Sequence, residues 1–381
     1  MKKVSLFALT LILFLSSGFL SAQDTSYVFK DIKTLPATPV KNQYRSGTCW
    51  SFSGISFFES EVLRMGKGTY DLSEMFNIWH SYDRKAVKYV RMHGSLNFGG
   101  GGAFQDDLDV LRNDGVIPEE IFSGLNIGEE KHVHGEMDAV LKAYVDAVIK
   151  NKNRKLTPVW HQGFEGILDA YLGTPPKQFE YKGETYTPKS FAEKLGLNPD
   201  NYVIISSFNH HPFYQQFVLE VPDNWSWGEV YNVPLDDLSK ILNYSIDQGY
   251  TIGWATDMSD PGFSSKTGVA IVPEKDFSEM SKGERDTVFI HPVKQKVITQ
   301  DLRQKAFDNF TTTDDHGMHI IGKATAQDGT EYFKVKNSWG TKGIYKGYLY
   351  ASKAFVLYKT TNIMVNKDAI PKDIRKKLGI K

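Results

Sequence analysis

Cys49 is the only cysteine in the 381-residue chain, so it has no partner for an intrachain disulfide. After it, apolar residues recur at helical spacing, and Gly66 and Gly68 mark the end of the predicted helix. The residues of this apolar stripe are Trp50, Ile55, Phe58, Val62 and Met65. The thiol therefore lies in the first turn of a buried helix, where unpaired N–H groups and the helix dipole favour a negative charge. We expect an unusually acidic thiol, which suits nucleophilic attack.

The residues just before Cys49 also fit a nucleophile. Gly47 lets a substrate backbone approach closely, and Gln43, six residues upstream of the cysteine, offers an amide N–H₂ group. An amide donor beside a nucleophile is what an oxyanion hole requires. A buried structural cysteine is the commoner role for a lone Cys. Packing alone, however, explains neither the glutamine nor the glycine, so the pattern favours covalent catalysis.

The composition is that of an ordinary folded protein. Hydrophobic residues make up 41% and aromatic residues 13% of the chain, which predicts a sizeable core and argues against wholesale disorder. The length suggests one large or two ordinary domains. Lys plus Arg and Asp plus Glu number 45 each, so charge gives no argument for a nucleic-acid partner.

Residues 1–22 are typical of a secretory signal peptide. Lys2 and Lys3 precede an apolar run from Val4 to Leu15, and Ala22 offers a cleavage site. The run is too short to span a membrane, and no other stretch of the sequence qualifies. We therefore expect a secreted or periplasmic protein, in which a single unpaired cysteine is best explained as a reagent.

The segment that begins at Gln43 and continues through Gly47-Thr48-Cys49-Trp50 resembles the active-site segment of papain-like cysteine peptidases. That family has a further cysteine beside this glycine, whereas Ser46 precedes it here, so the family's neighbouring disulfide is absent. The resemblance implies that Cys49 is the nucleophile, that Gln43 contributes to the oxyanion hole and that Trp50 lies at the substrate site.

A thiol nucleophile needs a base, and the base needs a group that orients it. His316, followed by Gly317, begins a predicted strand and resembles the family's histidine motif. His319 is three residues further along the strand and faces the opposite side, so the register selects His316. Asn337-Ser338-Trp339-Gly340 ends the next strand and resembles the family's asparagine motif. The resemblance assigns Asn337 to orient the imidazole and Trp339 to shield their hydrogen bond.

Four glycines, residues 99–102, precede a predicted helix over Phe104–Arg112. Such a run could indicate a phosphate cradle, but it lacks a Gly-Lys-Ser/Thr sequence and a preceding strand. In papain-like enzymes a glycine pair at this place forms an open backbone edge for an extended peptide. The resemblance therefore assigns Gly100, Gly101 and Gly102 to substrate binding.

Predicted helices dominate residues 23–122, in which Asp71 is expected to cap the second helix and residues 27–40 to wrap this lobe. Residues 123–200 are a predicted helical insertion, and strands predominate over residues 201–365, followed by a tail over residues 366–381. Helices first and strands later predict an α+β fold with two lobes and a cleft between them, which is the papain-like architecture.

Metal and cofactor sites are not predicted. His132, His134 and Glu136 alternate within the insertion, but this spacing is not a recognised ligand pattern. Neither a metal nor an organic cofactor is implied by the resemblance.

The spacing of the catalytic motifs indicates which branch of the family the chain resembles. His316 follows Cys49 by 267 residues (316 minus 49), whereas ordinary papain-like enzymes have about 130–150. The helical insertion together with long connections between strands matches the excess, and the chain resembles the bleomycin hydrolase and aminopeptidase C branch. Enzymes of that branch lay a C-terminal tail into the cleft, where its carboxylate pairs with the substrate's amine, and they form hexamers. The resemblance thus implies aminopeptidase activity, a possible homo-oligomer and a gating role for residues 372–381.

The sequence therefore predicts a secreted cysteine peptidase of aminopeptidase type that acts on peptides or unfolded proteins. An endopeptidase with an open cleft is the main alternative, because residues 366–381 are short for a tail of that branch. An inactive papain-fold binding protein and a thiol acyltransferase that uses the same site are the others. The four filled catalytic positions argue against the inactive protein.

Overall fold

The computed structural model describes residues 26–381, and the predicted signal peptide lies outside them. Helices predominate in the first half of this part and strands in the second. This arrangement confirms the predicted α+β class. Across residues 26–381, no helix combines the length and the apolar character that a membrane span requires.

The α-helices of the described residues lie mainly before residue 200. They are α1 (Cys49–Arg64), α2 (Glu74–Arg91), α3 (Phe104–Asn113), α4 (Gly135–Ile149), α5 (Val159–Leu172), α6 (Pro188–Leu195), α7 (Leu235–Gln248), α8 (Lys282–Thr287), α9 (Gln300–Asp308), α10 (Lys353–Lys359) and α11 (Lys372–Lys377).

The strands lie mainly after residue 200. They are β1 (Phe29–Thr34), β2 (Phe179–Tyr181), β3 (Glu184–Tyr186), β4 (Tyr202–Ser206), β5 (Gln216–Val218), β6 (Glu229–Asn232), β7 (Ile252–Thr256), β8 (Phe263–Ser264), β9 (Val269–Ala270), β10 (His316–Ala326), β11 (Glu331–Lys336), β12 (Tyr348–Ser352) and β13 (Thr360–Asn366).

One large mixed sheet contains all of these strands except the β2–β3 hairpin. Its order is β5-β6-β4-β13-β7-β10-β11-β12-β9-β8. The long strand β10 lies near the centre. Its first half, residues 316–320, pairs with β7, and its second half, residues 322–326, pairs with β1. The start of β10, where His316 lies, is therefore held by its pairing with β7.

The helical insertion shares a hydrophobic core with the first three helices. The buried residues on one face of each of α4, α5 and α6 belong to the same apolar cluster as Phe57, Phe58 and Phe76 of α1 and α2. These insertion residues are Met137, Leu141, Val145, Phe164, Leu168, Leu172, Phe191 and Leu195. Because the stripe of α4 is buried against this cluster, the insertion enlarges the helical lobe.

A second core lies beneath the sheet, between β-strand side chains and α7, α10 and α11. Its members include Ile241 of α7, Ile320 of β10 and Ile363 of β13, all fully buried. The C-terminal segment takes part in it, because Ile374 and Leu378 belong to the same cluster. Residues 366–381 are thus packed on the β-rich lobe.

The start of the described chain differs from the prediction. Residues 29–34, expected to wrap the helical lobe, instead form β1 and pair with β10 of the sheet. The Phe29 ring stacks on Tyr350 at a centroid distance of 4.0 Å and meets Tyr332 edge-on at 4.9 Å. This aromatic contact and the free edge of β10 explain why the segment joins the β-rich lobe.

The cap of α2 also differs from the prediction, because Ser73 rather than Asp71 caps the helix. The Ser73 Oγ accepts a hydrogen bond from the Phe76 N–H at 3.0 Å. The chain is still extended at this point, since Leu72 forms a bridge with Pro118. Asp71 instead forms an ion pair with Lys41 at 2.6 Å.

Candidate active site

The first turn of α1 lies directly against the start of β10. Gly317 makes this approach possible, because a Cβ atom there would be 2.6 Å from Ser53 Oγ and 3.1 Å from Trp50 Cα. Real Cβ atoms do not come so close to other atoms, so a larger residue would force the strand away from the helix. The glycine thus allows Cys49 and His316 to line the same cavity between the two lobes.

The imidazole of His316 is held from two sides. Its Nε2 lies 2.8 Å from Asn337 Oδ1, and its ring centroid is 4.8 Å from that of Trp339. Asn337 Oδ1 also accepts from the Ser338 N–H at 2.8 Å. The oxygen is therefore identified as the acceptor, which places the His316 proton on Nε2 and leaves Nδ1 free to accept one.

Gln43 is brought to this site by a short backbone pairing between the segment before α1 and the turn after β11. The Gln43 N–H donates to Ser338 O at 2.8 Å, and Asn42 forms a bridge with Trp339. The Gln43 side chain accepts from Ser338 Oγ at 2.6 Å and donates through Nε2 to Ser46 O at 2.9 Å. The second Nε2–H remains available as a donor at the start of α1.

His319 lies on the far side of β10 from the cavity, as its register predicts. Its ring is buried, and its Nδ1 is 2.9 Å from Ser56 Oγ. Ser56 Oγ in turn accepts from the Lys336 ammonium at 2.8 Å. His319 therefore belongs to a polar network behind α1.

The glycine run lies along the cleft wall opposite His316. The Trp50 indole N–H donates to Gly100 O at 2.9 Å, and a Cβ at Gly100 would be 3.2 Å from Gly47 Cα. Gly102 lines the cavity, and a Cβ there would be 2.7 Å from the Trp50 ring. The run thus presents bare backbone next to the cysteine.

Burial of Cys49 acts against the acidic thiol that its place at a helix start predicts. Burial raises the pKa of the Cys49 thiol to about 11, although the Gly317 and Trp50 N–H groups partly offset this. Burial also lowers the pKa of His316 to about 4, against the effect of the hydrogen bond that its Nε2–H donates to Asn337. The helix terminus favours a thiolate, but the β-rich lobe covers it and removes water. Burial therefore opposes the charged form of both Cys49 and His316.

Four polar side chains of the cavity were missed by the sequence analysis. Asp223, Asp314, Asp315 and Asn362 line it together with Cys49. Asp314 and Asp315 directly precede His316 and could have been noticed in the sequence, because two acidic residues next to a base alter its electrostatic environment. Asp223 follows β5, and Asn362 is on β13, so only the tertiary structure brings them to the cysteine.

The two histidines of the insertion lie close together, whereas Glu136 has a different partner. His132 and His134 are buried, with ring centroids 5.7 Å apart, and burial lowers both pKa values to about 4. Glu136 instead accepts from the Tyr171 hydroxyl at 2.7 Å.

A different group, His210, His211 and Glu220, has ligand spacing. However, Gln304 Nε2 lies 2.9 Å from His210 Nδ1 as a donor, which places the His210 proton on the nitrogen that faces Glu220. A protonated nitrogen cannot bind a metal.

The C-terminal segment lies apart from the cavity. Within residues 26–381, the side chains that line the cavity all come from positions before residue 366. Lys377 of α11 instead reaches the Tyr214 hydroxyl at 3.2 Å, on the outer side of α7. Among the described residues, therefore, no contact between residues 372–381 and the cavity supports the predicted gating of the cleft.

Comparison with known proteins gives consistent results. A model of the peptidase C1-like family matches residues 99–380, a range that includes His316 and Asn337 and follows Cys49. The chain is 24% identical over 383 residues to an aminopeptidase C of Listeria monocytogenes, covering 88% of this chain and 81% of the relative. For an aminopeptidase C of Lactococcus lactis subsp. lactis, the identity is 23% and the coverage 89% and 83%.

A solved structure also resembles this one. PepW from Lactobacillus rhamnosis HN001 superposes with a TM-score of 0.71, covering 92% of this chain and 84% of that chain. Because the identity is 17%, this likeness shows a common fold and no more.

Proposed function

This chain belongs to the peptidase C1-like family, and we propose that it hydrolyses peptide bonds at Cys49, with His316 as the base and Asn337 as the residue that orients it. As a member of this family the chain is a cysteine peptidase. Its similarity to two aminopeptidases C supports removal of residues from free N-termini as its activity.

A single observation carries the assignment of the residues. Cys49 and His316 come from different lobes and line one cavity, and the Nε2 of that histidine is 2.8 Å from Asn337 Oδ1. A nucleophile, a base and an orienting acceptor are the groups that acyl transfer requires. The order Cys, His, Asn along the chain agrees with the motifs in the sequence.

The proposed reaction proceeds through a thioester. The Cys49 sulfur bonds to the scissile carbonyl carbon as its proton passes to His316 Nδ1. The resulting oxyanion accepts hydrogen bonds from Gln43 Nε2 and the Cys49 N–H. The imidazolium then gives its proton to the leaving amine as the C–N bond breaks. Water attacks the thioester with His316 as base, which releases the carboxylic acid and restores the thiol.

An endopeptidase is the second candidate, because one observation favours it. The C-terminal segment packs on the β-rich lobe, so the described residues of the tail leave the cleft unobstructed. An open cleft would accept a peptide that extends past the cysteine in both directions.

Two measurements on the purified protein test the proposal. A vinyl-sulfone probe for thiol peptidases should label the wild type, and Cys49→Ala should abolish the labelling. Cleavage of an amino-acid anilide with a free N-terminus is then compared with cleavage of its N-acetyl derivative. Preference for the free amine supports an aminopeptidase, and equal cleavage of an N-blocked longer peptide supports an endopeptidase. Absence of both labelling and cleavage would overturn the peptidase assignment.

We also propose that the protein is exported, on the basis of residues 1–22 of the sequence. Expression of the full chain in a bacterial host, followed by fractionation and N-terminal sequencing, tests this. A mature protein that begins at Gln23 in the periplasm or medium is expected. An uncleaved protein in the cytoplasm would contradict it.

A further inference from the structure

The cavity beside Cys49 is acidic. Among the described residues that line it, three are aspartates and none is lysine or arginine. The ammonium of Lys85 acts on Asp223, but it donates to the carbonyl oxygens of Gly99 and Gly101 behind the glycine run. Its charge is therefore directed at backbone rather than at the interior of the cavity.

The three aspartates differ in the hydrogen bonds that their carboxylates accept. Asp315 accepts from the Met258 N–H at 2.7 Å and the Ser259 N–H at 3.0 Å, so both of its oxygens have partners. Asp314 accepts from the backbone N–H of Asp223 at 3.2 Å. Asp223 itself accepts from Asn97 Nδ2 at 2.8 Å.

The Asp314 and Asp223 carboxyls repel each other. Burial raises the pKa of Asp314 to about 7, and the negative charge of Asp223 adds to this effect. Burial likewise raises the pKa of Asp223. A cation between them would relieve both effects, because opposite charge stabilises the ionised carboxylates.

Asn362 indicates, independently of the aspartates, that a hydrogen-bond donor is missing from the cavity. Its side chain is 3% exposed and lines the same cavity, and within the described residues its Oδ1 has no hydrogen-bond donor. Its Nδ2 has a distant partner, Thr361 Oγ1 at 3.4 Å. A buried oxygen without a donor is costly to leave unpaired, and a ligand N–H group would satisfy it.

We propose that Asp223, Asp314 and Asn362 form an ammonium-binding subsite, which holds the free α-amino group of the substrate next to Cys49. An ammonium has three N–H donors and no acceptor, which matches two carboxylates and an amide oxygen. The inference rests on the proposed aminopeptidase function and gives it a source of negative charge that the C-terminal segment does not supply.

Three substrates distinguish the possible sources of the ammonium. Leucine anilide carries an α-amine, N-acetyl-leucine anilide carries none, and N-acetyl-lysyl-leucine anilide carries a side-chain ammonium one residue upstream. The variants are Asp314→Asn and Asn362→Leu, which remove charge or acceptor at nearly constant size. Asp286→Asn, an exposed position on α8, is the matched control for charge.

For leucine anilide we expect each variant to raise KM at least about tenfold, since one lost charge-assisted hydrogen bond corresponds to about that factor. Cleavage of N-acetyl-leucine anilide and vinyl-sulfone labelling of Cys49 should change less than about twofold. Asp286→Asn should match the wild type with all three substrates. Because a variant with a misfolded site would lose labelling, this readout separates a local effect from unfolding.

The outcomes that would overturn the subsite are distinct from those that would overturn the proposed function. Unchanged KM for leucine anilide in both variants, or equal losses with the free and acetylated substrates, overturns the subsite alone. A loss of cleavage in the variants that is confined to the lysyl substrate overturns the α-amine assignment and identifies a subsite for a basic side chain. A wild-type protein that neither labels nor cleaves overturns the proposed function, and the subsite with it.

Discussion

At the scale of single residues, the reactivity of Cys49 depends on a balance between burial and local donors. The helix start offers N–H groups, but the covering lobe removes water, and the aspartates of the cavity add negative charge. A thiolate here therefore needs a proton acceptor within the site, and His316 with its free Nδ1 supplies one.

The charge of Asp223 should be measurable at the thiol. This carboxylate raises the pKa of Cys49, so Asp223→Asn should lower it. Below the pKa a lower value means more thiolate, and the alkylation rate at a fixed pH should rise, by about tenfold for each unit of pKa. The measurement is the second-order rate of iodoacetamide alkylation as a function of pH. Asp286→Asn is the control, and a slower rate in Asp223→Asn would contradict the prediction.

Substitution of the two histidines of β10 should have different effects. His316→Ala removes the base, and kcat/KM should fall at least about a hundredfold. His319→Ala breaks the hydrogen bond with Ser56 and leaves a buried cavity, so the free energy of unfolding should fall by about 1–3 kcal/mol. Urea unfolding and anilide cleavage are measured for both. Loss of turnover confined to His319→Ala would reverse the assignment.

At the scale of elements, the site depends on how α1 meets β10. Sequence periodicity identifies both elements, but their contact requires Gly317 and the pairing of residues 42–43 with residues 338–339. The cap of α2 was mispredicted for a similar reason. Asp71 and Glu74 have the spacing of a capping box, yet the bridge at Leu72 keeps the chain extended until Ser73.

The cap gives a test at this scale. Ser73→Ala removes the acceptor for the Phe76 N–H, and the free energy of unfolding should fall by about 1 kcal/mol. Asp71→Ala breaks an ion pair whose acidic partner is 66% exposed, so its effect should be smaller. Urea unfolding of the two variants is compared. A larger loss of unfolding free energy for Asp71→Ala than for Ser73→Ala would identify Asp71 as the cap.

At the scale of the whole molecule, the C-terminal segment acts as part of the core. Deletion of residues 372–381 removes the buried side chains of Ile374 and Leu378 and should cost about 3 kcal/mol or more in unfolding free energy. The ratio of cleavage between free and N-acetylated anilides should not change. Faster cleavage of the blocked substrate by a folded deletion variant would instead support gating by this segment.

The sequence alone predicted the α+β class and the chemical identity of the candidate site. Gln43, Cys49, His316 and Asn337 could be identified because each lies in a segment that resembles a motif of the papain-like family. The helical spacing of apolar residues after Cys49 likewise predicted α1.

Only the tertiary structure decided the burial of Cys49, the place of β1 and the acidic lining of the cavity. Burial depends on which lobe covers the thiol, and strand pairing depends on which edge of β10 is free. Asp223 and Asn362 lie 174 and 313 residues after Cys49 (223 minus 49 and 362 minus 49). No local pattern predicts their meeting, because packing between distant elements brings them together.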